Sequence, residues 1–79
     1  MQKNYWRLKC SHTPETIDKI VMSFRKRGLM VNMFNYKKIA DGLAICELEF
    51  DEQPENAERI RNNALRLEDI LEIEVLALA

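Results

Sequence analysis

The sequence predicts an α+β fold, a four-stranded antiparallel sheet with both of its helices on one face. Three observations lead there. Apolar and charged residues alternate with a strand's period over 3–10, 43–50 and 70–78. Two other segments repeat their apolar residues at helical spacing, and Pro14 and Pro54 stand where each would begin. Gly28 and the pair Asp41-Gly42 mark a helix stop and a hairpin turn between those runs. The resulting order is β-α-β-β-α-β.

The first strand, residues 3–10, turns Trp6, Leu8 and Cys10 one way and Tyr5, Arg7 and Lys9 the other. In the first helix, Thr13 offers the N-cap oxygen, and Pro14 suits the first position because its missing N–H has no partner there anyway. Glu15 and Asp18 lie at the positive end of its dipole, and Arg25, Lys26 and Arg27 at the negative end. Ile17, Ile20, Val21 and Phe24 form the stripe expected to be buried, and Gly28 supplies the left-handed stop. A second strand runs from Leu29 to Lys38 with Leu29, Val31 and Met33 in phase. Its pattern blurs at Met33-Phe34, which predicts a bulge or a strand apolar on both sides.

After the Asp41-Gly42 turn, residues 43–50 send Ala44, Cys46, Leu48 and Phe50 inward and Glu47 and Glu49 outward. The second helix is expected from Pro54 to Leu67, with Ala57, Ile60, Ala64 and Leu67 as its stripe and Glu55, Glu58, Arg59 and Arg66 on the wet side. The last strand, 70–78, sets Leu71, Ile73, Val75 and Ala77 against Glu72 and Glu74. Right-handed crossovers then put strands one and three side by side, with strand four next to one and strand two on the outer edge.

At 79 residues, the chain is expected to form a single domain over 1–79 with one modest core. A domain of this size buries only about 60–65% of its unfolded surface and gains stability by associating. The formal net charge of −1 gives no general attraction to nucleic acid or to an anionic membrane. No apolar run approaches the ~20 residues of a spanning helix, and no secretory leader pattern is present, so the expected compartment is the cytoplasm.

The charges are unevenly placed. Nine of the Lys and Arg residues fall in 1–38 against Glu15 and Asp18, and the other eleven acids fall in 39–79. Either the first half is a basic arm for nucleic acid, or the two halves interleave in one sheet. The spread of the basic residues over strand and helix faces favours the second. Arg7 and Lys9 would then lie between Glu47/Glu49 and Glu72/Glu74 on the open sheet face. Only Tyr5 among the aromatics points to that face, where RNA binding would need several for stacking. Cys10 and Cys46 fall at inward positions and read as small buried side chains, not as a metal pair. His12, the sole histidine, reads as a turn residue, and no base stands near a nucleophile.

Four local motifs carry a family resemblance: P-E-T-I at 14–17, R-K-R-G at 25–28 running into L-M-V-N-M, E-L-E-F at 47–50, and R-L-E-D-I at 66–70. With the order of elements, they resemble the ACT domain, and more narrowly the short, single-ACT regulatory (small) subunit of acetolactate synthase (acetohydroxyacid synthase). The resemblance covers nearly the whole chain. It implies a ferredoxin-like βαββαβ fold and a chain with no catalytic residues, metal or cofactor of its own. Such subunits bind and activate the large catalytic subunit of branched-chain amino acid biosynthesis. That partner holds thiamine diphosphate, FAD and Mg²⁺.

Many members of this family also bind valine and confer allosteric feedback inhibition. In ACT domains the effector sits at a dimer interface against the loop between strand one and helix one, where a glycine after the loop proline lets it approach the backbone. Here that position is Glu15, which adds a side chain and a negative charge. The resemblance therefore implies a subunit that supports catalysis and senses effectors weakly or not at all. Its candidate effector residues are His12, Thr13, Glu15 and Thr16, facing Met33 or Asn35 of a neighbouring chain, and the same residues also read as helix capping and edge-strand packing. Met30, Asn32, Phe34 and Tyr36, with Met30, Phe34 and Tyr36 expected to be exposed, mark an edge strand that would pair with its own copy into an eight-stranded homodimer sheet. The alternative is a stand-alone, homodimeric amino-acid-sensing module.

Overall fold

A computed structural model describes residues 2–78, with side chains through Leu76. The chain runs β1 (Gln2–Ser11), α1 (Thr16–Arg25), β2 (Met30–Ala40), β3 (Leu43–Glu52), α2 (Pro54–Ala64) and β4 (Ile70–Leu78). The sheet order is β2-β3-β1-β4, every neighbouring pair antiparallel, as the crossover argument requires. Gly28 and Gly42 take φ of 68° and 73°, the left-handed values needed to leave α1 and to turn from β2 into β3.

The core lies between the helices and one face of the sheet. Trp6, Leu8 and Cys10 of β1 meet Cys46, Leu48 and Phe50 of β3, and Ile20, Phe24, Ala57, Ile60 and Ala64 close over them from the helices. Trp6 is at the centre, edge-on to Phe50 at 4.8 Å and to Phe24 at 6.4 Å between ring centroids. The alternation read along β1 and β3 holds throughout. It also places Asn4, in phase with Trp6, among the fully buried residues.

Several expectations are corrected. The helix α1 begins at Thr16, with Glu15 and not Thr13 at the N-cap position and no side-chain cap. The Thr16 hydroxyl is drawn back to the Ser11 carbonyl, so Thr13 to Glu15 form a turn that precedes the helix. Ile17 and Val21 remain 42% and 39% exposed, because the buried stripe is Thr16, Ile20 and Phe24. The helix α2 stops at Ala64. Leu65, Arg66 and Leu67 wind into turns that lay Leu67 half-buried on the core.

Bulges account for the remaining differences. In β2 the register slips between Val31 and Met33, one step before the expected place. Val31, Phe34 and Tyr36 therefore share the helix-side face with Phe50, Leu48 and Cys46, while Met33 turns to the open face beside Glu49. Tyr36, expected to be exposed, is half-buried against the core. A slip at Leu71 in β4 leaves that residue 50% exposed, while Ile73 still packs on the core. Val75 lies opposite Trp6 on the helix side but stays 45% exposed at the sheet edge. The inward placement expected of Ala77 falls outside the described side chains.

The open face carries the cross-strand charge pairing. Arg7 reaches Glu47 at 3.4 Å and Glu74 at 3.2 Å, and Lys3 reaches Glu49 at 3.2 Å. Lys9 departs from the expected lattice, since it lies opposite Glu72 on one side but Ile45 on the other. These exposed pairs contribute about 0–1 kcal/mol each, so they favour register more than stability.

Cys10 and Cys46 are free and fully buried. Burial chiefly, with the negative charge of Asp69 adding to it, pushes the Cys10 thiol from 9.0 to about 11. Burial chiefly, with Cys10 and Glu47 adding, pushes Cys46 to about 12. Between pH 9.0 and about 11 the unfolded chain releases thiol protons that the folded chain keeps, so stability is expected to fall as pH rises through that window. Thermal melts across the interval check this. A transition temperature no steeper in pH than that of the Cys10→Ala/Cys46→Ala variant would contradict it.

Candidate functional site

The loop joining β1 to α1 brings most of the sequence-predicted residues together. The Thr16 side chain, fully buried, is its hub. Its Oγ1 donates to the Ser11 carbonyl at 2.7 Å and accepts from the Thr13 amide at 2.9 Å, while Thr13 Oγ1 stands 2.9 Å away. Asp69, arriving from the turn before β4, places Oδ2 3.4 Å from the same hydroxyl and 3.2 Å from Lys19 Nζ. The Asp69 carbonyl accepts from the Ser11 amide at 2.8 Å, which ties the two chain segments together. Sequence reasoning passed over Asp69, whose partners are all distant in the chain.

His12 is held on both sides. Its amide donates to the Gly42 carbonyl at 2.9 Å, and its Nδ1 lies 2.7 Å from the Tyr36 hydroxyl. Burial foremost, opposed by a hydrogen bond with Thr16 and aided by Cys10, Cys46 and Asp69, pushes the Tyr36 phenol above 10.0. The imidazole thus fastens the loop to β2. Glu15 is exposed at the head of α1. Met33 and Asn35 lie on the open face, opposite Glu49 and Glu47, so within one chain they do not meet the loop residues.

This knot of hydrogen bonds fixes a backbone shape. Thr16→Val is nearly isosteric, yet it leaves the Thr13 amide and the Ser11 carbonyl without their partner. It is expected to cost about 1–3 kcal/mol, while Thr16→Ser retains most of the stability. Urea denaturation of the two variants measures the difference, and equal midpoints would show that the hydroxyl contributes nothing. Among the described residues, no group of three or more His, Cys, Asp or Glu side chains is placed to hold a metal ion. No described helix is long and apolar enough to cross a membrane.

A second feature lies toward the C-terminal end of α1. β2 is an outer strand of the sheet, and its helix-side residues Val31 and Phe34 join Val21, Phe24 and Leu29 around an apolar groove of about 460 Å³. Met30, Val31 and Phe34 are 64%, 42% and 37% exposed, which makes this edge the natural place for another chain.

The fold matches solved structures over nearly its whole length. The chain is similar to the small subunit of acetolactate synthase from Thermotoga maritima, with a TM-score of 0.87 and 14% identity over 98% of this chain and 48% of that one. It therefore spans about half the length of that protein. It is also similar to the ACT domain of GTP pyrophosphokinase from Chlorobium tepidum (TM-score 0.80, 13% identity, 94% and 96% covered). A third likeness is to the C-terminal domain of the MgtC protein from Mycobacterium tuberculosis (TM-score 0.74, 15% identity, 98% and 87% covered). No family model matches the sequence, and no curated protein matches it. At these identities the likeness is one of fold. The chain has the ferredoxin-like fold of ACT domains.

Proposed function

We propose that the chain is a non-catalytic regulatory module, the small subunit of an acetolactate synthase, which pairs through β2 and activates a large thiamine-diphosphate-dependent partner. The observation that carries this reading is the unpaired apolar edge of β2 with its groove, on a fold shared at a TM-score of 0.87 with such a small subunit. Thiamine diphosphate, FAD and Mg²⁺ would reside on the partner, and the polar side chains of this chain's loop are taken up in shaping its backbone. Glu15 at the head of α1 sets a carboxylate where an effector's own carboxylate would approach, so effector sensing is expected to be weak. The cytoplasm, where a biosynthetic partner of this kind would work, is the expected compartment.

The test is to mix the chain with an acetolactate synthase catalytic chain and follow acetolactate formation with and without valine. Activation with little response to valine supports the proposal. Co-purification as a homodimer alone, with tight binding of an amino acid at the loop, would favour the second reading, a stand-alone amino-acid-sensing module.

A further inference from the structure

The helices α1 and α2 face each other across a groove made of two hollows, about 340 and 330 Å³, that share Lys26 and Arg27. Lys19, Met22 and Ser23 of α1 line the first with Asn63 and Leu67. Asn56, Arg59 and Ile60 of α2 line the second with Glu52. Residues 19, 22, 23 and 26 recur at helical spacing, and so do 56, 59, 60 and 63, so each helix gives the groove one continuous stripe. At about 100° per residue, the stripe on α1 lies on the opposite flank from Val21 and Arg25, which line the apolar groove beside β2.

The groove is basic, although the whole chain has a formal net charge of −1. Lys19, Lys26, Arg27 and Arg59 line it against one carboxylate, Glu52. Glu52 Oε1 accepts from the Gln53 amide at 2.9 Å and from Asn56 Nδ2 at 3.3 Å, so it is engaged at the head of α2. Lys19 is paired with Asp69. Among the described residues, Lys26, Arg27 and Arg59 are in no ion pair, and all three are exposed. The dipole of α1 accounts for cations at its C-terminal end, but Arg59 sits midway along α2, where a terminal field does not reach. Glu55 and Glu58 line a separate hollow with Arg59 and Arg66, outside the groove.

The same groove has an apolar part, since Met22 is 46% exposed and Leu67 lies half-buried with it. A phosphate backbone would meet the cations and leave Met22 uncovered. An amphipathic helix uses both features, because a helix laid between two others packs one apolar stripe and sets its flanking residues against the walls. We propose that this groove docks an acidic amphipathic helix of a partner protein, its apolar stripe on Met22 and Leu67 and its carboxylates at Lys26, Arg27 and Arg59. From Lys19 to Lys26 the groove runs about 10 Å at the rise of a helix, room for two turns of the partner. The docked helix leaves β2 free, so the assignment is independent of pairing through that edge and of which catalytic chain is served.

The probe is a fluorescein-labelled peptide of about 18 residues, with Leu on one helical face and Glu on both flanks, titrated with the intact chain and followed by fluorescence anisotropy. Three controls accompany it: the same peptide with Gln for every Glu, a scrambled isomer of the same charge with no apolar face, and an oligothymidylate of equal charge. The amphipathic acidic peptide is expected to bind saturably, at least about tenfold more tightly than each control. Lys26→Gln/Arg27→Gln/Arg59→Gln is expected to weaken it at least about tenfold, the factor that three exposed ion pairs together represent. Lys3→Gln/Lys9→Gln/Lys37→Gln removes the same charge from the sheet and is expected to leave the affinity within about twofold. All six side chains are exposed, so both variants should keep the parent's circular dichroism spectrum. The assignment is overturned if no saturable binding occurs up to about 100 µM, or if the scrambled isomer or the oligothymidylate binds as tightly as the amphipathic peptide. It is equally overturned if the sheet variant weakens binding as much as the groove variant, which would leave net charge as the only cause.

Discussion

Trp6→Ala is expected to remove about 3–5 kcal/mol of folding stability, the usual cost of truncating a large aromatic in a packed core. The indole is 1% exposed and lies between Phe50 and Phe24 in edge-on contacts. At about 0.05–0.15 kcal/mol per residue, a chain of 79 residues has only about 4–12 kcal/mol in total. The substitution therefore removes from about a quarter of that stability to all of it, and the melting temperature is expected to drop by more than about 10 °C. Circular dichroism is the right measurement, since the variant loses its only tryptophan. Ile17→Ala supplies the contrast, because Ile17 is 42% exposed and its removal leaves no cavity, so a loss below about 1 kcal/mol is expected. A Trp6→Ala protein that melts within a few degrees of the parent would mean that the core is organised around something else.

That contrast also shows what the sequence carries. Alternation along β1 and β3 is strict, since both strands are central and have a wet side and a dry side, so each inward residue is legible from its spacing alone. Asn4 shares that phase with Trp6, Leu8 and Cys10, so its burial was readable too, although an amide at an inward position invites the assumption that it lies outside the strand. The outer strands are different. Slips at Asn32 and Leu71 each invert the phase of the strand on one side of the bulge, and a bulge is set by how a strand bends to stay on its neighbour, not by its own residues. The start of α1 was missed for a related reason, because the Thr16 hydroxyl is held by Ser11 and stands beside Asp69, fifty-three residues away. In the candidate site the loop residues were within reach of sequence reasoning. Their joining to Tyr36 and Asp69 is the work of the sheet order.

Placing lysine at both Val31 and Phe34 is expected to abolish self-association through β2, raising the dimer dissociation constant at least about 100-fold. Several features single out this edge. Its strand holds register without interruption from Met33 to Lys38, opposite Glu49 to Ala44, which leaves a straight run of backbone for a second copy to pair with. Beside that run, Val31 and Phe34 are joined by Val21 of α1 around the apolar groove, so two copies would bury side chains as well as backbone. The other outer strand, β4, holds register over only four residues between its two slips, Glu72 to Val75, against six in β2, and it presents Glu72 and Glu74, whose charges discourage pairing. Burying one Val or Phe side chain contributes about 1.5–3 kcal/mol, so losing two contacts and desolvating two ammonium groups exceeds the roughly 2.7 kcal/mol that a hundredfold change represents. Both side chains are already more than one-third exposed in the single chain, so the doubly substituted protein should keep its circular dichroism spectrum and its melting temperature near those of the parent. Sedimentation equilibrium then reads the association directly. A parent chain that stays monomeric at high micromolar concentration, or a lysine variant that dimerises as well as the parent, would mean that the apolar edge of β2 is covered by something other than its own copy.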